Sequence, residues 1–382
     1  MEGNFLKLKN ILRSVFDFLT MKFLKDCISL LLISIAMISC IKEVDVDLRN
    51  VKPILVVEGS VTTDPGPYVV RVTYSGMIEL ANQIPEENLE EDAVVLIKDD
   101  AGNSTATVYK GEGYYQTTDL SFAGVPGRTY HVEVALKDGR KYISLPEKMR
   151  NPVPVDSVNI KFIPDFNIEH PAYLRAFVNS TDPPNEENFY KWEFINYTRK
   201  QTPGVGCGIG CIKFEYCFQR YESTELNIFS DAAINGNAIL EQGVGNSYIF
   251  TYGNHYFDIS QISLSREAYQ FWNIYSEQTN RTGDILDPLP ATIRGNIVNA
   301  ADANEYALGF FSAKAIYHKK VVVIPFSITD YLLTISAVSF RPTNFVACFD
   351  YYPNTLSYPD PPADQAPPPP GWENADSLKV YW

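Results

Sequence analysis

Residues 128–146, "RTYHVEVALKDGRKYISLP", decide how the rest of the chain is read. Tyr130, Val132, Val134 and Leu136 alternate with more polar neighbours, and a two-residue repeat puts one set of side chains on one face of a strand. A second alternating run follows Asp138-Gly139, and Asp-Gly between two such runs is a strong short-range hairpin signal. Working outward, "ILVVEGSV" (54–61), "YVVRVTYS" (68–75), "AVVLIKDDAGN" (93–103) and "STATVYKGEGYYQT" (104–117) are further short apolar runs bounded by Gly, Pro, Asn or Asp. Strands at this spacing with no helix between them predict a mainly β fold, with residues 52–150 forming an immunoglobulin-like β-sandwich.

"RNPVPVDSV" (150–158) interrupts that pattern, because Pro152 and Pro154 cannot donate to a ladder and favour extended backbone. A second, mostly β domain is expected over 155–350, opening with "SVNIKFI" (157–163), "YLRAFVNS" (173–180) and "FYKWEFINYTRK" (189–200). It holds one predicted helix, in which Ala268, Phe271, Trp272 and Tyr275 recur at helical spacing, with Ser265 as cap and Gly283 as stop. A lone helix in a β domain must bury one side, so these aromatics are expected to be core. "ALGFFSAKAIYHKKVVVIP" (307–325) reads as two strands joined at His318-Lys319-Lys320, and residues 351–382 as a Pro-rich, polyproline-type surface tail.

The N-terminal region reads as an address. Lys22 and Lys25 precede an apolar run from Ile28 to Ile38, too short for a confident spanning helix, and small Ser39 precedes Cys40. This is the pattern of a lipoprotein signal over residues 1–39, with Cys40 as the acylated anchor and residues 40–51 as an acidic tether. Two or more acyl chains, at about 0.8 kcal/mol per buried CH2, hold a chain on a membrane stably. The chain carries a net charge of −14, and −16 once residues 1–39 are removed. Such acidity argues against nucleic acid, whose phosphates require a basic stripe, and against docking on anionic lipid by charge.

Four cysteines remain after Cys27 is cleaved away and Cys40 is acylated: Cys207, Cys211, Cys217 and Cys348. An even number in an exported protein points to two disulfides, of undetermined connectivity; a zinc site and free thiols are the alternatives. The glycines of "TPGVGCGIGCIKFEYC" (202–217) match no phosphate-loop pattern. No GxSxG or HExxH is present. The histidines, His131, His170, His255 and His318, are dispersed, and "IPEENLEEDA" (84–93) lacks the rhythm of a calcium loop, which leaves it a solvated acidic loop. No catalytic residues, metal ligands or cofactor are expected. An aromatic excess that includes Trp192, Tyr197, Tyr216 and Tyr221 is expected mainly as strand packing, with some of it free to form a binding surface.

The segments "CIKEVDVDL" (40–48), "LVVEGSVTTDPGPYVVRVTYS" (55–75), "GYYQTTDLSFAGVPGRTYHVEVALKDGRKY" (113–142), "YSEQTNRTGDILDPLPATIRGNIVN" (275–299) and "ALGFFSAKA" (307–315) together resemble one family. It is the domain-of-unknown-function family numbered 4249, outer-membrane lipoproteins of Bacteroidota often encoded beside TonB-dependent receptors. Lys42, Glu43 and Asp45 also resemble the surface-export signal of that phylum's lipoproteins. The resemblance implies a lipid-anchored protein of the outer membrane, at the cell surface, acting as a non-enzymatic binding or assembly partner of a TonB-dependent nutrient transporter. It supplies no catalytic residue to transfer. A surface hydrolase of glycans or peptides, and a structural adhesin or spacer, are the competing expectations.

Overall fold

The computed structural model describes residues 53–75, 88–164, 172–203, 214–248, 254–280, 293–302, 304–325, 372 and 375–380. The hairpin on which the reading rests is present. Strands Thr129–Ala135 and Lys141–Ser144 pair antiparallel, Leu136 N donates to Arg140 O at 2.9 Å, and Gly139 takes φ +92°, a conformation that glycine adopts without steric cost. Tyr130, Val132, Val134 and Tyr142 point inward, as the alternation requires.

The fold is mainly β. Its first nine strands are β1 (Leu55–Thr62), β2 (Val69–Tyr74), β3 (Asn88–Leu89), β4 (Val94–Asp99), β5 (Ser104–Gly111), β6 (Tyr114–Thr117), β7 (Thr129–Ala135), β8 (Lys141–Ser144) and β9 (Glu147–Lys148). There follow β10 (Ser157–Pro164), β11 (Ala172–Thr181), β12 (Phe189–Pro203), β13 (Phe214–Glu222), β14 (Asn227–Ser230), β15 (Ala238–Tyr248) and β16 (His255–Leu264). Helix α1 (Arg266–Thr279), β17 (Ile297–Asn299), β18 (Phe311–Pro325) and β19 (Asp376–Val380), with a 3-10 turn at Asp231–Ala233 between β14 and β15, complete the described elements.

One continuous path of strands runs β13-β12-β16-β18-β1-β2-β6-β5-β4-β7-β8-β17, and β10-β11-β15 form a separate three-stranded sheet. The large sheet folds over itself around a first core, where Val57, Val70, Val72 and Tyr115 meet Val95, Ile97, Val132 and Tyr142. A second core lies between the two sheets. Ile160, Leu174, Ala176 and Val178 of the small sheet face Tyr190, Trp192, Phe194, Phe257 and Ile259 of the large one. Each fully buried large apolar side chain contributes about 1.5–3 kcal/mol through removal from water.

Residues 52–150 and 155–350 do not make separate sheets. Strand β18 pairs parallel with β1, Gly59 opposite Phe311, and antiparallel with β16, Ser263 opposite Ala315. Phe311, Ala313 and Ala315 lie in the first core, whereas Val321 and Val323 lie in the second. A strand with one apolar parity over its length serves both cores with one face. The expected break at His318-Lys319-Lys320 is therefore corrected: 311–325 is one strand, and these three cations each have a carboxylate partner that replaces the solvent a turn would have offered.

Three further details differ from the sequence reading. Helix α1 starts at its expected cap, Ser265, whose side chain accepts from Ala268 N at 3.0 Å, but it ends at Asn280 and not at Gly283. There Asn280 N bonds to Ser276 O while the Thr279 hydroxyl takes Tyr275 O, so polar side chains close the last turn. Its aromatic face is only partly core: Ala268 is buried, Phe271 and Trp272 are half-buried, and Tyr275 is 41% exposed. Of the Pro-rich tail, Trp372 is buried against Tyr256 and Val322, and β19 pairs parallel with β18. No helix among the described residues is long and apolar enough to cross a membrane.

Candidate functional site

Strands β12, β16 and β18 lie side by side, and their alternation sends one set of residues into the second core and the other to the opposite face. Cross-strand partners share a face, so the register defines rows: Lys191, Ile262 and Ile316; Glu193, Ser260 and His318; Ile195, Asp258 and Lys320; Tyr197, Tyr256 and Val322. One end of this outer face is covered by α1, whose Tyr269, Phe271 and Trp272 pack on Phe189, Ile262, Leu264 and Ile316. The other end is covered by Trp372, which meets Tyr256 and Tyr197 edge to face at ring-centroid separations of 5.6 and 6.3 Å. Between the two tryptophans runs a charged band.

His318 is at its centre. Its Nδ1 lies 2.9 Å from Asp258 Oδ1 and its Nε2 lies 2.9 Å from Asp64 Oδ2, with Ser260 Oγ 3.3 Å from Nδ1. Hydrogen bonds to Asp258 and then Asp64 push its pKa up to about 10, so the ring is an imidazolium that donates from both nitrogens. This geometry is not a nucleophile–base pair. A serine is activated by a neutral ring nitrogen, and here serine and aspartate share one nitrogen while a carboxylate occupies the other. Lys320 reaches Asp258 at 3.9 Å and stands 5.3 Å from the centroid of Trp372.

The second ionic group is under α1. Lys191 is buried, its Nζ 2.5 Å from Glu193 Oε1 and 4.6 Å from the centroid of the Trp272 ring. Burial pushes Glu193 upward, but the ammonium groups of Lys191 and Lys314 hold it below the usual carboxylate range. Lys314 is half-buried on the same face; burial first and repulsion from Lys191 second push it down to about 8. Lys191 thus pairs directly with Glu193, and Lys314 acts on that carboxylate only as a further positive charge.

The remaining polar clusters support the fold. His255 is buried, and burial pushes it down to about 4; its Nδ1 lies 3.0 Å from Asn196 Nδ2, so the ring is neutral and accepts there. His131 lies 3.4 Å from Glu133 on the surface of β7. In the acidic loop, Glu90 accepts from Tyr74 OH at 2.9 Å and Asp92 pairs with Lys137 at 2.8 Å. Among the described residues no group of three or more His, Cys, Asp or Glu side chains could hold a metal ion.

Of the residues singled out in the sequence, Trp192 is core, and Tyr197 and Tyr221 are half-buried beside cores. Cys217 stands on β13 in register with Lys200. Cys40, Lys42, Glu43, Asp45, Cys207, Cys211, Cys348 and His170 lie outside the described residues, and the expected disulfides with them. The band itself was not foreseen. Its one local signal is "FYKWEFINY", where Lys191 and Glu193 alternate with Tyr190, Trp192 and Phe194 and so mark a strand with a charged outer face.

The family model described as "Domain of unknown function (DUF4249)" matches residues 41–320. That span holds every member of the charged band and excludes Trp372. No curated protein matches the sequence.

Proposed function

We propose, from the premise that the chain belongs to the DUF4249 family, that it is a lipid-anchored, non-enzymatic binding partner of a TonB-dependent nutrient transporter at the outer-membrane surface. The observation that carries the binding role is the charged band between Trp272 and Trp372. It presents a row of fixed ionic groups with aromatic walls, and His318 within it is held as a cation by two carboxylates. Such a surface positions and recognises, and its histidine, held as a cation, is not a poised base. The anchor rests on the sequence around Cys40, where a short apolar run ends in a small residue and a cysteine followed by an acidic tether.

The test is recovery from native membranes. A tagged full-length chain at normal expression should fractionate with the outer membrane and bring down a TonB-dependent receptor. Cys40→Ala should release the chain from the membrane fraction. Recovery of the lipidated chain with no receptor overturns the partner role.

A further inference from the structure

The edge of β18 that faces away from β16 is shared. β1 takes residues 311–314 and β19 takes Val321–Pro325, both in parallel, while Thr63 and Asp64 reach Ile316 and His318 between them. The two neighbours are held differently. β1 is bonded to β2 on its other side, whereas β19, among the described residues, pairs with β18 alone and over 5 residues. Parallel pairing is slightly weaker per residue than antiparallel, and a short edge strand opens locally while the rest of a domain stays folded. Ahead of β19 stands its anchor, Trp372, 3% exposed, edge to face with Tyr256 and Tyr197 and 5.3 Å from Lys320 Nζ at its ring centroid. Ala375 N donates to Trp372 O at 3.2 Å, which turns the chain from the indole into the strand. Asp376 Oδ2 then lies 3.0 Å from Lys319 Nζ, and with Asp376 65% exposed this pair adds little. Residues 326–371 connect the strap to β18, several times the dozen or so that a parallel return needs.

We propose that this end of β18 is a docking site for an extended peptide segment of a partner protein, kept closed by the chain's own Trp372–Val380 strap until that segment displaces it. The contacts select the segment. Two tyrosine edges with a lysine over the ring suit an indole, the aromatic that attracts a cation best. Lys319 suits an acidic side chain four residues later, and the backbone of Val321–Pro325 suits a parallel strand, the mode by which peptides add to sheet edges. A basic segment would meet Lys319 and Lys320. A second copy's strap offers the same contacts without the tether, so it gains nothing over the chain's own.

This site rests on reading the band as a binding face, whose Tyr197, Tyr256 and Val322 the open strap would bare, and its test is separate from receptor recovery. A fluorescein-labelled peptide of residues 371–382, GWENADSLKVYW, is added to the full-length protein and followed by anisotropy. Wild type should bind it weakly. Full-length Trp372→Ala, whose strap has lost its anchor, should bind it at least about ten-fold more tightly, because apparent affinity scales with the open fraction. A peptide with its first tryptophan replaced by alanine should bind neither protein. In wild type, the β19 amides should exchange with deuterium together and ahead of those of β16. The proposal is overturned if the peptide binds neither protein or both alike, or if a dimer of Trp372→Ala that the peptide dissolves shows the partner to be a second copy. Exchange of β19 only in step with β16 overturns it as well, whether or not Trp372→Ala folds. Receptor recovery without peptide binding removes the docking site and leaves the partner role standing.

Discussion

Ser265 Oγ donates to Glu147 Oε2 at 2.6 Å while accepting from Ala268 N at 3.0 Å, so the hydroxyl that caps α1 is also bonded to a carboxyl buried at the edge of the first core. Burial is the main reason that Glu147 is pushed up to about 7, against an ordinary value of 4.5. The unfolded chain therefore gives up this proton at lower pH than the folded one. Below about pH 4.5 both states are protonated and the group is neutral to stability; between about pH 4.5 and 7 stability falls as pH rises, by about 3 kcal/mol in total. Glu147→Gln should flatten this decline and leave a protein more stable than wild type near pH 8, measured by urea unfolding across that range.

His318 titrates in the opposite sense. Its folded pKa of about 10 exceeds the ordinary 6.5, so its contribution is fully present below about pH 6.5 and is lost as pH rises through 10. The side chain is 36% exposed, and solvent screening reduces the contribution to about 1–2 kcal/mol. His318→Gln should cost that much at neutral pH and little above pH 10. Unfolding curves for the two proteins that stay equally far apart at both pH values would rule out the ion trio.

Gln261 is a fully buried amide with three partners. It accepts from Trp192 Nε1 at 2.8 Å and Ser180 Oγ at 2.7 Å, and donates to Val153 O at 2.9 Å. Gln261→Leu strands two donors and one acceptor in the second core, at about 1–3 kcal/mol for each group left unsatisfied. We expect a loss of at least 3 kcal/mol in total, seen as a lower unfolding midpoint and altered tryptophan fluorescence.

Gly309 has φ +87°, and a Cβ there would stand 2.2 Å from Val57 O. Neither strain can relax without breaking the Leu308 and Phe310 carbonyl bonds that hold β1, at Val57 N and Gly59 N. Gly309→Ala should destabilise by about 2–4 kcal/mol, with thermal unfolding as the measure.

What could be read from sequence was local. The Asp138-Gly139 hairpin and the Ser265 cap depend on residues a few positions apart, and both are in place. His318 could not be understood that way, because Asp64 is 254 residues distant, and its charge was instead taken as a sign of a turn. The same limit hid Asn296. Its side chain accepts from Phe311 N and donates to Phe311 O, acting as a piece of neighbouring strand, and this explains why "ATIRGNIVN" and "ALGFFSAKA" belong together. The band escaped notice because its members are spread over Asp64, Lys191, Glu193, Asp258 and Lys314. Only the register of three strands and one parallel pairing assembles them.

The pairing of β1 with β18 also sets a timetable. Gly59 through Thr62 wait for Phe311 through Lys314, so a growing chain holds one edge of its first sheet open until more than 250 further residues have been made. Closing so long a loop is an entropic hurdle that slows folding, and an unpaired strand edge invites pairing with other chains in the interval. Fragments ending near residue 150 therefore keep that edge exposed permanently, and their aggregation would reflect a missing neighbour and not a faulty sequence.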